Sequence, residues 1–352
     1  MNTPDSPVKK TAVEMYHGIT SHKFFCILAL FITLIISFTI DVMSGPAWLT
    51  VPEVLQALLG HGNDVNNRIV WIIRLPMAIM AIFVGAALGI AGAQMQTILD
   101  NPLASPYTLG VSAAAGFGAA LAIVLGVGVI PGGNEFLVPI NAFIFSILCC
   151  ISIYLIAWHK KGTTETLVLA GIALLFLFNA LTTFLEYIST QEDLQAVVFW
   201  LFGSMVKATW PKVAIVGIVL AIVVPFFLRD VWKLTALRLG ENKARSLGVN
   251  VERLRIKSFI LISILTATAV CFVGIIGFIG LVAPHISRMV VGEDHRFYLP
   301  ASLLGGALLL SVSSIVSKLV IPGAIFPIGI ATSCIGVPFF LYLILRRRSE
   351  FW

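Results

Sequence analysis

Stretches free of Asp, Glu, Lys and Arg recur along the chain at 24–40, 75–99, 101–134, 136–158, 166–185, 213–228, 258–287, 297–317 and 319–345. A helix of about 20 apolar residues crosses ~30 Å of hydrocarbon, so each run predicts a crossing and two are too long for one. The run 101–134 opens with the polar, proline-containing Asn101-Pro-Leu-Ala-Ser-Pro-Tyr107, which places its helix from near Leu109 to Gly128. The run 258–287 would extend about 45 Å as one helix at ~1.5 Å per residue. Gly274, Gly277 and Gly280 offer breaks, and the run divides into helices over 258–275 and 277–290. Ten crossings result.

The segments between the runs differ in character. Residues 41–74 hold Asp41, Trp48, Pro52 and Glu53 in a loop long enough for a short surface helix. Within 186–212, Leu194–Met205 is apolar but too short to span, which predicts an interfacial or re-entrant helix. Residues 229–257 are the most charged part of the chain.

Composition agrees with a membrane protein. Hydrophobic residues make up 59% of 352 and charged residues 11%, too few to coat a water-soluble fold of this length. Charge placement sets the orientation, because Lys and Arg favour the cytoplasmic side. With ten crossings and the N-terminus inside, only Arg68, Arg74, Lys207, Lys212 and Lys318 of the 23 Lys and Arg fall outside. Nine crossings would put Arg346-Arg347-Arg348 outside. The expectation is an all-α integral membrane protein of about ten transmembrane helices with both termini cytoplasmic. Residues 1–23 form an N-terminal tail, 24–345 a single polytopic domain and 346–352 a C-terminal tail. The basic charge thereby reads as orientation and not as nucleic-acid binding.

Candidate chemistry is sparse. Asp41 and Glu186 fall at outer helix ends, and Asp100 and Glu165 at inner ends, where they read as interfacial residues. Ionisable residues deep in a span mark ion and proton pathways, and their scarcity demotes an ion- or proton-coupled secondary transporter, the rival from another class. The six histidines show no HExxH or His/Asp pairing. Cys26, Cys149, Cys150, Cys271 and Cys334 lie in apolar runs without metal spacing, so neither a metal site nor catalysis is expected. No phosphate-binding glycine loop is present, so ATP is not bound through a P-loop on this chain.

Small residues are dense around Gly85–Ala93 and Gly110–Ala119, which allows helices to approach closely. Two readings stay open: packing within one bundle, or a pore or dimer seam. On the second, the pathway lies on those faces and at Gln94, Gln96, Thr97, Asn101, Ser112 and Thr164. In the inner loop, Glu241 to Leu247 predicts a short helix stopped by Gly248. Such a helix either closes a loop or docks into a groove on another protein.

Several segments together carry a resemblance. Arg74-Leu-Pro76, Gly85-Ala-Ala-Leu-Gly89, Gly92-Ala-Gln-Met-Gln96, Asn101-Pro-Leu-Ala104, Leu167-Val-Leu-Ala-Gly171, Trp200-Leu-Phe-Gly203, Leu239-Gly-Glu241, Ala244-Arg-Ser-Leu-Gly248, Gly277-Phe-Ile-Gly-Leu-Val282 and Pro327-Ile-Gly329 resemble, in order, the ferric-siderophore/cobalamin permease family of ABC importers. The resemblance implies a second permease subunit, two cytoplasmic ATPase subunits that carry the ATP and Mg, and a periplasmic substrate-binding protein, in a bacterial inner membrane. It makes Glu241, Ala244, Arg245, Leu247 and Gly248 the segment coupled to the ATPase. It places cytoplasmic gates at Asn101–Leu103 and Thr164–Glu165, and assigns Arg74 and Lys318 to docking of the binding protein.

Three positions depart from the family pattern. Met77 stands where a second arginine is common, Lys318 where arginine occurs, and Ala324-Ile-Phe-Pro327 where an acidic residue often precedes the proline. These departures favour a heterodimer over a homodimer. The implied function is a permease subunit that moves a ferric siderophore by alternating access, with cobalamin or haem as the alternative cargo.

Overall fold

The computed structural model describes residues 12–46, 49–128, 135–159, 164–321 and 323–345, excluding the side chains of 12–19, Trp158, Thr164, Leu343 and Ile344. Among these the secondary structure is helical. In order the helices are α1 (Ala12–Met43), α2 (Val51–Leu58), α3 (Asp64–Arg68), α4 (Leu75–Ile98), α5 (Val111–Leu125), α6 (Leu137–His159), α7 (Thr164–Ile188) and α8 (Gln191–Leu201). They continue with α9 (Trp210–Arg229), α10 (Val231–Leu237), α11 (Glu241–Ser246), α12 (Val251–Val273), α13 (Ile279–Val291), α14 (His295–Leu319) and α15 (Ile328–Leu345). A π-helical stretch, Ile69–Arg74, joins α3 to α4.

Ten of these helices match the expected crossings: α1, α4–α7, α9 and α12–α15. Seven are long and apolar enough to span a membrane, and α5, α13 and α15 are shorter apolar helices. Several boundaries are corrected. The helix expected over 109–128 is Val111–Leu125, because Gly110 and Gly126 at its two ends both adopt positive φ. The run 319–345 is not one helix. α14 carries it to Leu319, and α15 begins at Ile328, just after Pro327. α1 starts at Ala12, inside the expected N-terminal tail, and its apolar span runs Thr20–Met43; residues 1–11, Trp48, Lys160, Lys161 and the tail 346–352 lie outside the described residues. The break in 258–287 falls at Gly274–Phe278, and the interfacial helix in 186–212 is α8, whose N-cap Thr190 accepts from Asp193 N.

α4 is the central post. All its residues except Ile79, Ile82 and Phe83 are buried, against α14, α13, α12 and α9. Its small residues explain the closeness. A Cβ built on Gly92 would overlap the Gly280 carbonyl of α13, and one on Gly85 would overlap the Gly306 carbonyl of α14. Backbone-to-backbone seams of this kind are how helices associate where lipid offers no hydrophobic contrast. Of the two readings of the small-residue faces on α4, packing within the bundle is the one observed. α5 packs between α6 and α7, and the turn after α8 ties α12 to α15 through Ser204 N to Val273 O (2.7 Å) and Gly329 N to Phe202 O (3.0 Å).

The contacts also sort the two ends of the bundle. Asp41 meets Lys318, and Trp210 Nε1 donates to Trp71 O at 2.9 Å, at the expected outer end. Asp100, Arg238, Arg255, Arg288, Glu293 and His295 converge at the other.

Candidate functional site

α11 is one and a half turns long, too short to persist in water unaided, and the structure shows what holds it. Gly240 (φ 101°) turns the chain into it, and Gly248 (φ 81°) turns the chain out, with Gly248 N bonded to Arg245 O at 3.0 Å. Glu241, its first residue, is gripped by the Arg255 guanidinium, which holds its carboxyl below the usual carboxylate range. Arg255 also donates from Nε to Ile98 O at 3.0 Å, closing the last turn of α4. One guanidinium thus fastens the α11 segment to the central post.

A second arginine does similar work beside it. Arg238, just after α10, bonds Asp100 at 2.9 Å and also Glu293, in the turn between α13 and α14. Arg288 donates to Gln96 Oε1 at 3.1 Å and Tyr298 OH at 3.2 Å, while Thr97 Oγ1 and His295 Nε2 lie 2.9 Å apart. The inner ends of α4, α13 and α14 and the segment 229–257 therefore form one ion-paired and hydrogen-bonded unit. Arg238 and Arg255 were not singled out in the sequence; their only signal was their place in the charged loop.

The expected coupling residues divide. Leu247 projects, 66% exposed, as do Arg245, Lys243 and Leu239, whereas Ala244 is 0% exposed. Ala244 is thus corrected from a docking knob to the residue that seats α11 on its own subunit.

The pathway expectation is corrected more widely. Gln94, Gln96, Thr97 and Ser112 are all buried within the protomer. Gln96 and Thr97 serve the inner network, and both side-chain atoms of Gln94 lack a hydrogen-bond partner among the described residues. Leu103 and Glu165 are exposed and Asn101 half-exposed at the inner end; of Thr164 only the backbone, opening α7, is described. A different polar face is open. On α7 the exposed residues include Ile172, Phe176, Asn179, Ala180, Thr183 and Tyr187, so Asn179 and Thr183 lie one turn apart on an uncovered stripe. On α15, Cys334, Val337, Pro338 and Leu341 are exposed. Two polar residues in the middle of an apolar run were the available signal.

Arg74 and Lys318 are corrected as well. Arg74 is 3% exposed and donates from Nη1 to the carbonyls of Val42 (3.1 Å) and Met43 (2.7 Å), which end α1. Lys318 is buried against Asp41, which is itself 0% exposed and no longer an interfacial residue. Neither cation presents a rim to a partner. Both fasten α1 to the bundle.

Known proteins give the same architecture. A haemin transport permease of Yersinia pestis is 37% identical over 82% of this chain and 86% of its own. A vitamin B12 import permease of Klebsiella pneumoniae is 35% identical over 92% and 94%. A ferric-citrate import permease of Bacillus subtilis is 35% identical over 90% and 94%. Among solved structures, a metal-chelate type ABC transporter in an inward-facing conformation superposes with a TM-score of 0.82 at 32% identity, covering 91% of this chain and 99% of that one. With the model of the FecCD transport family matching residues 33–346, and with the crossings and the inner-end segment described above, the chain belongs to the FecCD transport family as a multi-pass membrane permease of the ABC importer type.

Proposed function

We propose that the chain is the permease subunit of an ATP-driven importer for a ferric siderophore, set in the bacterial inner membrane. It would pair with a second permease subunit, two cytoplasmic ATPases and a periplasmic binding protein. The observation that carries this reading is the uncovered face of α7, where Asn179 and Thr183 stand among apolar residues without a fixed charge. A passage with weak, neutral polar contacts admits a bulky polar chelate without trapping it in a deep well. The ferric-citrate relative supports iron as the cargo metal, and the metal-chelate type structure supports a chelated metal.

Transport would be driven through α11. Leu247 and Leu239 offer apolar knobs and Lys243 and Arg245 offer charge, on a segment that Arg255 and Arg238 hold to α4, α13 and α14. A push on α11 would therefore move the central post rather than bend a loop.

Haem is the second reading, favoured by the 37% identity to the haemin permease. The test is uptake into vesicles holding the complete transporter, with radiolabelled ferric siderophore, haemin or cyanocobalamin offered in turn. Iron delivery that needs ATP and survives collapse of the proton gradient is expected. In the same vesicles, Asn179→Cys and Thr183→Cys should react with a polar thiol reagent during turnover, while Gln94→Cys stays protected. Uptake of haemin or cobalamin alone would reassign the cargo, and unreactive α7 cysteines would reassign the passage.

A further inference from the structure

At the inner end, on the flank formed by α1, α9, α10 and the start of α14, cations and aromatic rings alternate in a continuous band. Lys23 Nζ lies 5.5 Å from the centre of the Phe297 ring, and the Arg296 guanidinium lies 5.6 Å from that ring and 4.9 Å from Trp232. Beside Trp232, Lys233 bonds Asp230 at 2.8 Å; Asp230 also receives Lys257, whose ammonium is 5.6 Å from the Phe226 ring. Arg229 is exposed in the same stretch. Asp230 and Asp294 are the band's carboxylates, the latter held by Arg296 at 2.6 Å. Neighbouring Asp100 and Glu293 are taken up by Arg238 and Arg288. Among the described side chains of the band, five cations against two carboxylates leave a surplus of three.

What lies toward the membrane middle decides the partner. Directly above the band, α9 exposes Ile215, Ile218, Ile222 and Phe226 along one stripe, and α1 exposes Phe24, Phe25, Leu28 and Phe31. Trp232, exposed, marks the level at which amphipathic rings settle at a membrane interface. A soluble protein partner would need a polar surface continuing outward, and a free anion would gain nothing from the apolar stripes. A row of cations at the foot of two apolar stripes has the chemistry of an anionic phospholipid turned inside out.

We infer that this flank is a binding site for an anionic phospholipid of the cytoplasmic leaflet, its headgroup phosphate held by Lys23, Arg229 and Lys233 and its acyl chains lying along α1 and α9.

The experiment uses the full-length protein in detergent, titrated with phosphatidylglycerol or with phosphatidylcholine of the same acyl chains and read by native mass spectrometry. A surplus cation near the surface contributes about fivefold in affinity, so phosphatidylglycerol is expected to bind at least about tenfold more tightly. The combined variant Lys23→Gln, Arg229→Gln, Lys233→Gln leaves the Asp230–Lys257 and Asp294–Arg296 pairs in place and should erase the preference, with an unchanged unfolding temperature in phosphatidylcholine. Lys23→Arg with Lys233→Arg should keep it, as should Arg68→Gln with Lys207→Gln at the other end of the bundle. Equal affinity for the two lipids, or a preference that survives the triple variant, overturns the assignment. Displacement of phosphatidylglycerol by inorganic phosphate at equal concentration also overturns it, by showing a site for a free anion.

Discussion

Asp41 and Lys318, 277 residues apart in sequence, form an ion pair of 2.8 Å in which neither side chain reaches solvent. Ser314 Oγ donates to the same Asp41 oxygen at 2.9 Å, and Lys318 also reaches the Asp41 carbonyl at 3.1 Å. With Arg74 on the carbonyls of Val42 and Met43, the last turn of α1 is bolted both to α14 and to the π-helical stretch that leads into α4. α1 buries few other side chains, so this outer-end cluster, together with the Ser37–Ser311 hydrogen bond of 2.8 Å, sets its position.

Breaking that pair from one side leaves an uncompensated charge in a dry site, at a cost of about 3–5 kcal/mol, whereas removing both charges costs far less. Lys318→Met alone should lower the yield of folded protein and its unfolding temperature in detergent. Lys318→Met with Asp41→Leu should recover most of the loss. A double variant as unstable as the single one would show that the pair is not what holds α1.

Ala244 on α11 and Leu247, the residue that caps its end, are three residues apart with opposite exposure, which separates folding from docking. Ala244→Asp buries an unpaired charge and should impair assembly of the segment itself. Leu247→Asp changes an exposed position, where stability effects usually stay within ~0.5 kcal/mol, yet should abolish uptake and association with the ATPase. Gly248→Val should resemble Leu247→Asp, because a β-branched residue resists the φ of 81° found there. Pull-down of the ATPase, with membrane insertion measured in parallel, checks all three.

Arg255 bridges Glu241 and the Ile98 carbonyl through different nitrogens, a geometry that a lysine cannot reproduce. Arg255→Lys should therefore leave ATP hydrolysis by the complex running while uptake falls several-fold. The Glu241 carboxyl titrates below its ordinary range because Arg255 bonds it, so the contact is intact above that range and is lost as pH falls through the lowered value. Hydrogen exchange of the α11 amides, corrected for intrinsic rate, should hold steady from neutral pH into the ordinary carboxylate range and rise only below it. Glu241→Gln should flatten that dependence.

The α4–α13 seam is asymmetric. A Cβ at Gly92 meets the Gly280 carbonyl head-on, while a Cβ at Gly280 finds its nearest neighbour, Leu88 O, at 3.0 Å and the next at 3.8 Å. Gly92→Ala should therefore cost on the order of 1–3 kcal/mol, the usual range for overpacking, and Gly280→Ala much less. Comparing the unfolding temperatures of the two variants decides it; the reverse order would mean that α13 is free to move aside.

The amino-acid sequence by itself determined the elements and their polarity. Charge-free runs count the crossings, the basic loops orient them, and the helix Glu241–Ser246 between Gly240 and Gly248 is legible because water on one side of a loop imposes a local amphipathic pattern. Only the tertiary structure decided which side of each span is covered. Lipid tails and a protein interior are both apolar, so α4, buried all round, and α7, open along Asn179 and Thr183, have similarly apolar sequences. For the same reason Gln94, Gln96 and Ser112 resemble a passage lining in sequence but are interior residues of one protomer. Arg74 and Lys318 resemble docking cations of the outer surface until α1 supplies the carbonyls and the carboxylate that draw them inward. Partners that lie 31 to 277 residues away along the chain leave no trace in local hydropathy.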